Sequence, residues 1–258
     1  MWEKIIDSAL FTLIYPISLI VAVLSGHFIA KRFYIGKKKQ WIPSGIESSV
    51  IAIFGLLLSF TFLSSNNSMK DRLRILQETS NAAENLRTQS SFMNDTIGKR
   101  TNKYLSDYLN IMSDFKNRYQ DNKFKMVKEV EILNNNYLIE MKKQAGVSEI
   151  NKREALSIIP YFNALNNYAY SILVSFDNRT PKIIIILLIV TSWLIGVLAG
   201  FLNGFNMHRH FLVPVIFVFV VSMCMQIIRD LDNPFSGNIQ PGFSDLKYQY
   251  NSLIKNKP

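Results

Sequence analysis

Thiol and imidazole chemistry have almost nothing to work with in this 258-residue chain, which carries one cysteine and three histidines. Cys224 cannot found a disulfide framework alone, and inside an apolar run it reads as a small packing group. His208 and His210 stand in a short connection without cysteine or carboxylate neighbours, so they read as interfacial residues and no metal site is expected. There is no HExxH, no CxxC, no glycine-rich phosphate loop and no nucleophile–base pair. The chain therefore offers no catalytic residues and no cofactor site, and an enzyme is not expected. Basic runs interleaved with aromatics are missing too, so the net charge of +10 does not point to nucleic acid.

What the chain does have is long apolar runs: Ser8–Ala30, Ser48–Leu63, Pro181–Phe205 and Phe211–Ile228. Each is close to the length a helix needs to cross roughly 30 Å of hydrocarbon at about 1.5 Å per residue. Their cores carry no Asp, Glu, Lys or Arg, which argues against a proton relay or an ion-coupled pump. The fold expected is all-α: a polytopic membrane protein with four transmembrane helices and a helical extramembrane domain between helices two and three. The divisions are 1–63 for the first helix pair, 64–180 for the extramembrane domain, 181–228 for the second pair and 229–258 for the tail. The basic cluster follows the first run instead of preceding it, so that run reads as a retained anchor, not a cleaved leader.

Local signals place the helix ends. Ser44–Glu47 has capping-box spacing ahead of the second run, and Thr180-Pro181 offers a cap and first-turn proline for the third. Gly196, Gly200 and Gly204 form a stripe at spacings of four, which lets another helix approach closely in lipid. Residues 64–180 hold 17 Lys plus Arg against 13 Asp plus Glu, the balance of a solvated helical domain near lipid head groups. Met69, Leu73, Leu76, Ala83, Leu86, Met93 and Ile97 recur at helical spacing, predicting that the second membrane helix runs on into water from about Ser64. Tyr104 to Tyr119 supplies a second amphipathic stretch, while Asn134–Asn136 and Gly146–Ser148 predict breaks. A last helix over about 152–177 should bury Leu156, Ile159, Phe162 and Leu165, with Pro160 as a kink.

Two stretches carry a resemblance. Glu47–Phe62 followed by Lys70-Asp71-Arg72 resembles the opening signature of the bestrophin-like family. Asp230-Leu231-Asp232-Asn233-Pro234-Phe235-Ser236-Gly237 resembles its closing signature. That family is in turn similar to the bestrophins, pentameric anion channels whose second membrane helix lines an apolar neck. The resemblance implies a neck on Leu56, Phe60 and Ser64, with Asn66 and Asn67 meeting an ion beyond it. The rival stripe on the same helix is Phe54, Leu58 and Phe62. It also implies a homo-oligomer, a pentamer for preference, in a lipid bilayer and conducting small ions. A bacterial inner membrane suits an Asn- and Lys-rich chain of this kind.

Departures from the pattern bear on gating. Calcium-gated bestrophins have an acidic run after a Pro-Phe-Gly motif. Ser236 interrupts that motif here, and no carboxylate follows until Asp245. A hard cation needs about six oxygens with several charges, so calcium gating is not implied. Asp230 and Asp232 read instead as caps or locks at the end of the fourth helix, against the helical domain. Orientation has two readings. Lys31, Arg32, Lys37, Lys38 and Lys39 put the first connection in the cytoplasm and the helical domain outside, whereas the resemblance implies the reverse. The functional expectation is an ion channel of bestrophin-like type. A non-conducting sensor or scaffold whose helical domain binds a protein partner is the alternative.

Overall fold

The computed structural model describes Ser8 and residues 10–34, 45–205 and 211–255. The expected Ser44 cap and the 206–210 connection with its histidines lie outside the described residues. Among those described, the architecture is all-helical. In chain order the helices are α1 Phe11–Ile29, which ends in a π-helical turn at Ala30–Tyr34, then α2 Ile46–Ser91, α3 Asp95–Ser113 and α4 Phe115–Ala145. They are followed by α5 Glu149–Asp177, α6 Lys182–Phe205, α7 Leu212–Asp232 and α8 Ser244–Lys255. Four segments, in α1, α2, the stretch leading through α6, and α7, are long and apolar enough to cross a bilayer. Two compact units result: residues 1–69 with 178–240, and residues 70–177 with 241–258.

In the membrane unit α1 lies along α6. Phe11, Tyr15, Leu19, Phe54, Leu188, Ile195, Val221, Met225 and Ile228 form its core. Apolar burial drives little between helices in lipid, so the polar ties matter. Tyr15 donates to Ser192 Oγ at 2.8 Å, Trp193 Nε1 to Ser18 Oγ at 3.0 Å, and Gln226 Nε2 to the Thr12 carbonyl at 3.3 Å.

The helical unit is built around aromatic rings. Tyr104 stacks on Tyr137 with centroids 4.5 Å apart, and both rings meet Phe162. Phe115 meets Phe176 and Phe243, and α8 lies against α3. Arg72 is fully buried, its Nε donating to the Ser175 carbonyl at 3.1 Å.

Three expectations need correction. The apolar stripe does not run unbroken to Ile97: α2 ends at Ser91, and Asn94 starts α3 by accepting the Ile97 N–H at 3.0 Å. Leu73 is exposed on α2. The asparagine triplet does not break α4, because buried Asn134 accepts from Tyr104 and donates to Asn166 Oδ1 at 2.8 and 2.7 Å. Two tertiary hydrogen bonds outweigh a propensity deficit of well under about 1 kcal/mol. On α5, Leu156 faces solvent, and Ala155, Ile158, Phe162 and Leu165 form the buried face. Phe162 and Leu165 are thus buried as expected, Ile159 is half-buried, and the helix begins at Glu149.

Candidate functional site

The membrane part of α2 is apolar on every side, yet its faces have different partners. Phe54 is buried in the bundle core, and Leu57 and Leu58 pack against it. Farther along, Thr61 and Ser65 are buried on the same face. Thr61 returns its hydroxyl to the Leu57 carbonyl at 2.8 Å, and Ser65 Oγ lies 3.2 Å from Thr180 Oγ1. A mostly apolar face thus turns into a hydrogen-bonded one without leaving a buried hydroxyl unpaired.

The opposite face is bare within the protomer. Leu56 is 57% exposed and Phe60 62% exposed. Ser64 and Asn67 are exposed in line with them, and Asn66 is half-buried to one side. The rival stripe divides: Phe54 is buried, Leu58 half-buried and Phe62 exposed. Leu56, Phe60, Ser64 and Asn67 therefore share one unpartnered face, while Phe54 is committed to the protomer's own core.

The glycine stripe on α6 meets α1. A Cβ on Gly200 would stand 1.8 Å from the Val23 carbonyl oxygen, and one on Gly204 would stand 2.6 Å from Ala30 Cβ. At Gly196 the space is looser, with Ala22 Cβ at 3.3 Å. Gly26 on α1, which no stripe marked, is as tight as Gly200, its Cβ position lying 1.9 Å from the Val197 carbonyl oxygen. A lone glycine in an apolar run has no spacing signal of its own.

The closing motif forms a compact hydrogen-bonded knot after α7. Asp232 is buried and accepts the Thr180 N–H at 2.6 Å, which ties the end of α7 to the approach to α6. Asp230 accepts from Arg229 at 3.0 Å and from the Asn238 N–H at 2.9 Å. Arg229 also donates to the Ser8 carbonyl and to Thr12 Oγ1, joining α7 to the start of α1. Asn233 Oδ1 accepts the N–H groups of Phe235 and Ser236, an Asx-type turn that carries the chain past buried Pro234. Gly237 has φ +100°, and a Cβ there would lie 2.4 Å from the Asp230 carboxylate. Only glycine meets both demands. Every carboxylate in the knot already has a donor, so the motif works as a fastening.

Comparison with known proteins agrees with this anatomy. Among curated proteins nothing matches the chain. Solved structures do match in fold. A point mutant of a membrane protein has a TM-score of 0.76 at 9% identity, covering 95% of this chain and 98% of that one. A bacterial bestrophin homologue from Klebsiella pneumoniae has a TM-score of 0.72 at 11% identity, covering 96% and 98%. A point mutant of a bestrophin homologue from the same organism gives 0.71 at 13% identity, covering 98% of each. The sequence profile of the Bestrophin-like domain matches residues 17–240, so this multi-pass membrane protein belongs to the Bestrophin-like domain family.

Proposed function

We propose that the chain is one subunit of a homo-oligomeric ion channel, a pentamer with anions as the permeant species, in a bacterial inner membrane. Four helices of one chain enclose little space, so the conduit forms between copies around α2. The observation that carries this reading is the bare apolar face of α2, where Leu56 and Phe60 are 57% and 62% exposed. In the oligomer that stripe makes the neck. Ser64 follows, and Asn67, with Asn66 beside it, offers neutral dipoles where an ion leaves the constriction. Rings of leucine and phenylalanine hold no charge to bind an ion, so such a neck gates by dewetting.

The test is planar-bilayer recording of the purified, size-checked oligomer under a KCl gradient. Reversal near the chloride equilibrium potential supports the proposal. Reversal near that of potassium keeps the channel and overturns the anion assignment. Silence across voltage and pH from a monodisperse oligomer favours a sensor or scaffold.

A further inference from the structure

Three of the four membrane helices hold one another tightly. α1, α6 and α7 pack pairwise, and α1 closes on α6 at glycine, where a Cβ on Gly200 would stand 1.8 Å from the Val23 carbonyl oxygen. Among the described residues α2 makes no comparably close backbone approach to any of them. Its membrane segment gives Phe54 to the bundle core, with Leu57 and Leu58 packed against that core. Apolar contacts of this kind have no preferred direction, and in lipid they drive little association. The rotation of α2 about its own axis therefore needs a directional tie.

Ser65 supplies one. Ser59 and Thr61 return their hydroxyls to the carbonyls of Gly55 and Leu57 on their own helix, both at 2.8 Å. Ser65, which is 0% exposed, instead reaches off its helix to Thr180 Oγ1 at 3.2 Å. Thr180 is buried too and is held from a second side, its N–H donating to Asp232 Oδ1 at 2.6 Å. Asp232 ends α7, and Thr180 stands just ahead of α6, which begins at Lys182. The run Ser65–Thr180–Asp232 thus joins α2 to two of the three mutually packed helices, and all three residues belong to the membrane unit. At about 100° per residue, Ser65 lies about 180° around α2 from Leu56 and about 140° from Phe60. The tie grips the helix from behind the face assigned to the neck.

We infer that Thr180, held by Asp232, is a positioning residue for the conduit: through Ser65 it sets the rotation of α2, and so the aim of Leu56 and Phe60. This rests on the neck proposed above and adds what holds it in register.

The test uses the full-length oligomer in a Cys224→Ala background, with a thiol introduced by Phe60→Cys or by Phe62→Cys. Both side chains are exposed in the protomer, at 62% and 42%. They point about 160° apart around the helix. The ratio of their reaction rates with a water-soluble maleimide reports rotation whether or not the protein conducts. Thr180→Val removes the hydroxyl but keeps the branched shape and the N–H. It and Ser65→Ala should each change the ratio about two-fold or more, while Thr180→Ser should keep the original value. Joining Ser65→Ala to Thr180→Val should add nothing, because both delete one bond. Without the introduced thiols, the same two variants should shift single-channel conductance about two-fold or more. An unchanged ratio in Thr180→Val overturns the inference even where thermal stability falls, since a purely structural tie moves stability alone. Additive effects of the two variants overturn it as well. A silent wild-type oligomer removes the conduit, a failure of the channel reading, and the thiol ratio still decides whether Thr180 sets the rotation.

Discussion

Gly200 faces Val23 so closely that a Cβ added to it would stand 1.8 Å from the Val23 carbonyl oxygen. Gly26 repeats the relationship from the other helix, against Val197. Neither neighbour is a flexible side chain that could swing away, so the α1–α6 crossing itself would have to open. Gly200→Ala and Gly26→Ala should each cost on the order of 3 kcal/mol. In detergent this reads as an earlier thermal transition and a loss of the monodisperse elution peak. Gly55→Ala is the control, because nothing lies within 4 Å of its Cβ position.

Asp232 holds the Thr180 N–H at 2.6 Å from a buried position. Asp232→Ala should cost about 1–3 kcal/mol, the penalty of leaving a buried donor unpaired. Asp232→Asn keeps an acceptor oxygen and should cost less. Thermal unfolding of the two variants side by side measures the difference, and equal losses would show that charge, not the hydrogen bond, is what matters.

How much of this was legible beforehand depended on which physical constraint wrote the pattern. Bilayer thickness sets the length of an apolar run, so the four membrane helices could be read directly. The face of α2 could not. Leu56–Phe60 and Phe54–Leu58 are both apolar pairs at spacing four, and in lipid both sides of a helix are hydrophobic, so periodicity does not separate them. Their packing within the protomer differs, Phe54 lying in the bundle core while Leu56 and Phe60 are exposed, and that difference had no trace in the pattern. Asn134 misled for a different reason: its propensity argues against helix, but its partners Tyr104 and Asn166 are 30 and 32 residues away in the chain. Leu156 was misplaced because Leu156, Ile158 and Ile159 crowd the same turn of α5 and periodicity cannot say which of them faces the core; Ile158 does, and Leu156 is exposed.

The tyrosines of the helical unit give a paired test. The Tyr108 hydroxyl is fully buried and hydrogen-bonds to nothing among the described residues, whereas Tyr104 donates to Asn134. Tyr108→Phe should therefore be neutral or mildly stabilising. Tyr104→Phe should cost about 1–2 kcal/mol, since it strands the Asn134 oxygen. Chemical denaturation followed by far-UV circular dichroism would rank them.

Alkaline pH should unfold this unit. Burial pushes the Tyr137 hydroxyl up to about 12, and it raises Tyr104 and Tyr108 as well. In the unfolded chain these groups ionise near pH 10. Between the two values the unfolded state binds fewer protons, so stability falls as pH rises. The contribution is fully present below about pH 10 and lost through about pH 12, near 3 kcal/mol for Tyr137 alone. Tyr137→Phe should flatten that part of the stability profile, at the cost of its contact with Thr101 at 2.9 Å.

The sharpest test of the neck compares two phenylalanines six residues apart on α2. Phe54 is 5% exposed and Phe60 62% exposed. Phe54→Ser should therefore destabilise the protomer by about 3–5 kcal/mol through a cavity in the bundle and lower the yield of oligomer. Phe60→Ser, on a face the protomer does not use, should leave stability within about 1 kcal/mol. If that face lines the conduit, the hydroxyl wets the constriction and single-channel conductance rises about two-fold or more. The two readouts are independent. Unchanged current in both Phe60→Ser and Leu56→Ala, with an intact oligomer, would remove the neck from this face while leaving the fold untouched. A stability loss at Phe60 equal to that at Phe54 would mean that the oligomer buries Phe60 as core, and that the conduit must lie elsewhere.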